Sequence, residues 1–168
     1  MTTTAAPQTL SDLSDFSLDW SPALSVGDER MDETHQEFTE LLNQILATPV
    51  DQQLLLYRQF IAHTEAHFAQ EERWMQATGF PGDHCHAGQH ATILETMNAV
   101  AVRFEGDDKD IITRMAEALT EWFPQHTGSM DAGLAQFLKE VGFDTRTETL
   151  ADPSKLQMAT LSGCGSVS

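Results

Sequence analysis

The chain is 168 residues long, enough for one domain with a sizeable core, and 40% of its residues are hydrophobic, too many for a disordered protein. Nine Lys and Arg stand against 26 Asp and Glu, so a formal charge of -17 sets the surface against nucleic acid and anionic lipid and serves solubility. No stretch reaches the ~20 apolar residues of a membrane helix, so no membrane insertion is expected. MTTTAAPQTL lacks the basic and apolar regions of a secretory leader, and a cytoplasmic location is expected. Two cysteines, Cys85 and Cys164, are too few for a disulfide framework and read as free thiols.

Residues 1–30 read as irregular, with Pro7, Pro22 and Gly27 as breakers, while Trp20, Leu24 and Val26 suit an arm packed on the body. A first helix is expected from near Asp32, with Phe38, Leu41, Leu42 and Ile45 on one face. It ends at Thr48-Pro49, because a residue before proline is pushed out of the α region. Asp51 is the expected cap of a second helix, striped by Leu56, Phe60, His63, His67, Glu71, Trp74 and Met75. Gly79 and Pro81 close it in the order expected beyond a helix C-terminus.

Asp83 opens a third helix, striped by His86, His90, Ile93, Met97, Val100 and Phe104. After Gly106, Asp107 or Asp108 is the expected cap of a fourth, with Met115, Leu119, Trp122 and His126 in line. Met130, Leu134, Phe137, Leu138 and Val141 continue it to Gly142. No segment alternates as a half-buried strand does. The pattern predicts an all-α fold, an up-down-up-down four-helix bundle over residues 20–143. A flexible segment over 1–19 precedes it, and a frayed tail over 144–168 follows, ending in SGCGSVS.

The apolar stripes carry polar residues that need a reason, since a buried imidazole without a partner costs free energy. His67 and Glu71 are i and i+4, on one helix face; His86 and His90 repeat that spacing. His126 and Asp131 are five apart, about 140° of rotation at ~100° per residue. Bringing that pair to one point needs a π-bulge or a bend, which Gly128 helps admit. With His35 on the first helix, five imidazoles and two carboxylates from four helices point to a metal. The ferritin-like alternative needs Glu-x-x-His pairs, and no histidine here has Glu three positions before it. A zinc protease is excluded because no HExxH occurs.

These residues resemble the hemerythrins, most closely the bacterial type. The resemblance runs from Trp20 to Val141 and is carried by WSPALSVGDERMDETHQEF, HFAQEERWM, GFPGDHCHAGQH and WFPQHTGSMD. It implies reversible dioxygen binding, for storage, delivery or buffering, at two non-haem irons. It assigns His86, His90 and His126 to one iron and His35 and His67 to the other. Glu71 and Asp131 would bridge them together with a solvent-derived oxo or hydroxo oxygen, and dioxygen would occupy the position left open on the second iron.

Two ferrous ions, two carboxylates and one hydroxide carry a net charge near +1, tolerable in an apolar pocket. Imidazole-rich coordination suits iron, although such donors accept several ions. Trp74, Met75, Phe38 and Trp122 are expected to keep the pocket dry. Two other functions use the same fold: oxygen sensing through a protein partner, and oxidase, peroxidase or nitric oxide reductase chemistry.

His63 stands where many relatives have tyrosine and reads either as a proton-relay contact or as a half-exposed filler. His84 and Cys85 read as surface residues. Glu72 faces solvent or accepts a hydrogen bond from a ligand imidazole. Thr127, where the family usually has an aliphatic residue, is expected to make the pocket more polar.

Overall fold

The computed structural model describes residues 16–156. Cys164 and most of the N-terminal segment lie outside the described residues.

Helix α1, Glu29–Ala47, starts three residues before the expected Asp32 because Asp28 caps it, accepting the Met31 N–H at 2.9 Å. Asp32 instead pins the incoming loop, accepting from the Ser25 hydroxyl at 2.6 Å and the Val26 N–H at 2.8 Å. The arm lies along α1: the Asn43 amide exchanges two hydrogen bonds with the backbone of Leu18, and Leu24 is buried. Thr48, extended before Pro49, ends the helix as the proline rule requires.

Helix α2, Gln53–Thr78, follows a single 3₁₀ turn over Val50–Gln52. Asp51 does not cap it. The buried Gln53 secures this corner instead, donating to the carbonyls of Ile45 and Thr48, each at 3.1 Å. Gly79 closes α2 at φ 64, a left-handed conformation that costs glycine nothing. Helix α3 spans Asp83–Glu105, and α4 spans Ile111–His126. Neither Asp107 nor Asp108 caps α4 through its side chain, because the Asp108 carboxylate is taken by Arg103 and Arg114, each at 2.7 Å.

A π turn over Thr127–Asp131 joins α4 to α5, Ala132–Val141, so the two run on as one rod. The Ala132 N–H bonds to the Thr127 carbonyl, five residues back. Pro124, inside α4, has no N–H to give to the regular ladder in the turn before the π turn. The four rods close a ring: α1 packs on α2 and α4, and α3 packs on α2 and α4. No described helix is long and apolar enough to cross a membrane.

The expected frayed tail over 144–168 instead opens with a hairpin, and its residues 157–168 lie outside the described residues. Beyond Gly142, β1 (Phe143–Asp144) pairs antiparallel with β2 (Thr149–Leu150), Phe143 opposite Leu150. Asp144 shapes the turn by accepting the N–H groups of Arg146 and Thr147. The Thr145 hydroxyl reaches both oxygens of Asp28, at 2.9 and 3.1 Å, so this hairpin is tied to the cap of α1.

Two apolar clusters fill the bundle. One gathers Phe38, Leu42, Tyr57, Phe60, Met97, Ile112, Leu119 and Phe123. The other gathers Met31, Trp74, Met75, Leu134, Leu138, Val141 and Phe143. Along α1, the order Met31, His35, Phe38 passes from the second cluster to the first, and α2 runs Phe60, His67, Glu71, Trp74 in reverse. On the last rod, His126 and Asp131 separate Phe123 from Leu134. A layer of buried polar side chains therefore divides two greasy ends.

Candidate metal centre

The structure brings all seven of the predicted residues into that layer. His35 comes from α1, His67 and Glu71 from α2, His86 and His90 from α3, His126 from α4, and Asp131 from the π turn. Each is at most 2% exposed. The helical spacing of four delivers the α2 and α3 pairs. The π turn delivers the last pair, overlaying residues five apart that a regular helix would splay.

Each carboxylate divides its two oxygens between two groups of imidazoles. Glu71 Oε1 lies 2.9 Å from His67 Nε2 and 3.8 Å from His35 Nε2, while Glu71 Oε2 lies 3.3 Å from both His86 and His90 Nε2. Asp131 Oδ2 lies 3.2 Å from His35 Nε2; Asp131 Oδ1 lies 2.9 Å from His86 and 3.2 Å from His126 Nε2. Donor atoms from Glu71, His86, His90, His126 and Asp131 all fall within 4.8 Å of one another, and those of His35, His67 and Glu71 do likewise.

These donors fit metal better than they fit each other. Nε2 of His35, His86, His90 and His126, Oε2 of Glu71 and both oxygens of Asp131 are buried without an aligned hydrogen bond. Buried polar atoms left so are rare and costly. Atoms close together yet out of line with one another are how ligands surround an ion. A set of neutral imidazoles with two carboxylates suits iron.

Without metal, the cluster holds its charges internally. Burial opposes protonation of His35 and His86, yet contact with the Asp131 and Glu71 carboxylates raises each to about 9. His90 goes the other way, lowered chiefly by burial. Burial and mutual repulsion push Asp131 up, but His126, His35 and His86 hold it well below the usual carboxylate range. Glu71 is likewise held low against its burial by His67, His35 and His86.

Aromatic rings wall the cluster. Phe68 stacks on His90 with centroids 3.8 Å apart, Trp122 stacks on His126 at 4.4 Å, and Phe123 meets His35 edge-on at 5.3 Å. Phe38 stacks on Phe123 behind it. Of the expected wall, Phe38 and Trp122 lie here, whereas Trp74 and Met75 belong to the second apolar cluster. Phe68, Phe123 and Gln89 were not foreseen. The Gln89 Oε1 accepts from His126 Nδ1 at 2.9 Å, which fixes that ring so that Nε2 faces the site.

Glu72 is partly exposed, in keeping with the solvent-facing role, and its nearest oxygen lies 3.4 Å from His90 Nδ1 without forming a hydrogen bond. Thr127 is buried, but its hydroxyl donates to the Pro124 carbonyl at 3.2 Å, which commits it to the backbone. His84 and Cys85 are exposed, as expected of surface residues. His63 lies one turn from His67, rings 6.4 Å apart, with Nδ1 3.8 Å from Glu37. Burial, and then the charge of His67, lowers its pKa.

The family model of the hemerythrin HHE cation binding domain matches residues 26–138. The chain is 37% identical over 134 residues to a bacteriohemerythrin of Ralstonia nicotianae, covering 80% of this chain and 98% of that one. It is 25% identical to a bacteriohemerythrin of Stenotrophomonas maltophilia over 71% of this chain and 80% of that one. A bacteriohemerythrin of Aquifex aeolicus is 27% identical over 67% of this chain and 91% of its own length. With a helical bundle around a buried cluster of imidazoles and carboxylates able to bind metal, the chain belongs to the hemerythrin family.

Proposed function

We propose that this chain binds dioxygen reversibly at a non-haem two-iron centre held by His35, His67, Glu71, His86, His90, His126 and Asp131. One observation carries the reading: Glu71 and Asp131 each direct one oxygen toward His35 or His67, and the other toward two members of the His86, His90 and His126 group. Two carboxylates so divided could hold two ions between them. Iron, when bound, supplies the electrons and the open coordination position that the gas needs.

The chain's own groups set the outcome. Three imidazoles and two carboxylate oxygens would hold one ion, and two imidazoles with two carboxylate oxygens would hold the other, one donor fewer. Phe38, Phe68, Phe123 and Trp122 exclude water from the pocket. Glu71 and Asp131 are the only buried carboxylates among the described residues, and both are committed to the cluster. No spare acid stands ready to protonate a bound gas, which favours carriage over oxidase chemistry. The test is anaerobic reduction of the iron-loaded chain, then oxygen addition followed by visible absorption. A band that appears with oxygen and vanishes on degassing supports carriage; one that decays while oxygen is steadily consumed rejects it.

A further inference from the structure

A groove of about 320 Å³ opens to solvent between α1 and α2, and His67 is part of its lining. Four polar atoms of the residues lining it have unused capacity. His67 Nδ1, Gln70 Nε2 and His63 Nε2 are buried and have no hydrogen-bond partner in the protein. Thr34 gives its hydroxyl proton to the Arg30 carbonyl at 3.0 Å and keeps lone pairs to accept with. The Gln70 amide is oriented by Arg30, whose Nε donates to its oxygen at 3.2 Å, leaving the NH₂ uncommitted.

We propose that this groove binds water against the outer face of His67, between His67 Nδ1, Gln70, His63 and Thr34, and makes His67 the solvent-coupled ligand of the site. The inference rests on the metal reading above, which puts His67 Nε2 on an ion and leaves Nδ1–H as a donor. The hydrogen-bond roles then close. Water accepts from His67 Nδ1–H and from the Gln70 amide. It donates to His63 Nε2, which has no hydrogen-bond partner in the protein, when that ring carries its proton on Nδ1, 3.8 Å from Glu37. Its second proton goes to Thr34. A polar, roomy site with up to four partners is what an ordered water requires.

The other four ligand imidazoles do not line this groove. His126 Nδ1 is spent on Gln89, and His90 Nδ1 faces Glu72. His35 is fully buried. Proton exchange at His67 balances simply: hydroxide in the groove takes the Nδ1 proton and becomes water, and a second water returns a proton and becomes hydroxide. The exchange occurs on the far side of the ring from the gas pocket, so the aromatic wall is not breached.

Zinc, diamagnetic and colourless, serves as the probe, with the imidazole N–H protons of the full chain followed by nuclear magnetic resonance. The His67 Nδ1 proton is expected to exchange about tenfold or more faster than that of His35, which must await local opening. Ala69→Leu, an exposed change that fills the groove, is expected to slow His67 and leave His35 unchanged. His63→Phe, which removes an acceptor, is expected to alter the His67 rate alone. Two zinc ions bound with His67 exchanging no faster than His35 would overturn the groove and leave the metal reading standing. A chain that takes up no pair of ions overturns both.

Discussion

The half of the site built by His86, His90 and His126 differs from the half built by His35 and His67 in how its rings are held from behind. His126 is fixed by Gln89 and pressed by Trp122; His90 is stacked on Phe68 and flanked by Glu72. At Nδ1 only His126 has a hydrogen-bond partner in the protein; His35, His67, His86 and His90 have none. The crowded half has more donors and one ring fixed by a hydrogen bond, which would suit an ion that keeps its ligands. The sparse half has fewer donors, which would suit an ion whose surroundings change. Reversible chemistry is best confined to one side of a paired centre, with the other side serving as its anchor.

The largest effect on that contrast comes from a residue both halves share. Glu71→Ala removes an oxygen from each, and metal analysis is expected to find neither ion retained. His35→Ala is expected to empty only the sparse half. Equal loss in both variants would erase the distinction.

Next comes pH. In the metal-free chain, His35 and His86, one from each half, are raised from 6.5 to about 9. A proton bound more tightly in the folded state stabilises it fully below 6.5, and the gain disappears as pH rises through about 9. Each contributes on the order of 3 kcal/mol. Glu71 and Asp131, held low, act oppositely, and their contribution is lost in acid. The metal-free Tm is therefore expected to fall between pH 6.5 and 9, while the loaded protein holds level because metal takes the protons' place. A metal-free Tm flat over that range rejects the charge assignment.

A smaller effect tests the bracing. Gln89→Ala frees the His126 ring and is expected to weaken the crowded half about 10- to 100-fold in metal affinity. Competition with a chelator measures it, and unchanged retention would show that Trp122 alone holds the ring. The smallest effect lies farthest from the centre. Thr145→Val removes the bonds to Asp28 and is expected to cost about 1 kcal/mol in denaturant unfolding, with metal content unchanged.

Much of this was legible in the residues themselves. Imidazoles spaced by four on apolar stripes marked α2 and α3 as donors to one interior point, and the five-residue gap from His126 to Asp131 marked the π turn. Its local cause was less visible. Gly128 has open space where a Cβ would sit, so nothing packed against it demands glycine, and it is Pro124 that interrupts the ladder. Caps were misread where several aspartates compete: Asp108 is claimed by arginines, and Asp28 does the work expected nearer Asp32. The hairpin left no trace because two-residue strands have no period, and its anchor, Asp28, is 117 residues from Thr145. Gln89 and Phe68 escaped notice because each neighbours a ligand in sequence and falls off the stripe that the ligand defines.

The polar layer between two greasy ends has a consequence for assembly. Sliding any rod past its neighbours by one helical turn, about 5.4 Å, would set a phenylalanine or leucine against a carboxylate and strand an imidazole among hydrocarbon. Apolar side chains alone tolerate such slippage, since one oily surface matches another. The seven side chains of the cluster thus act as teeth that admit a single alignment of the bundle, and a chain that meshes wrongly has no place to put a metal ion.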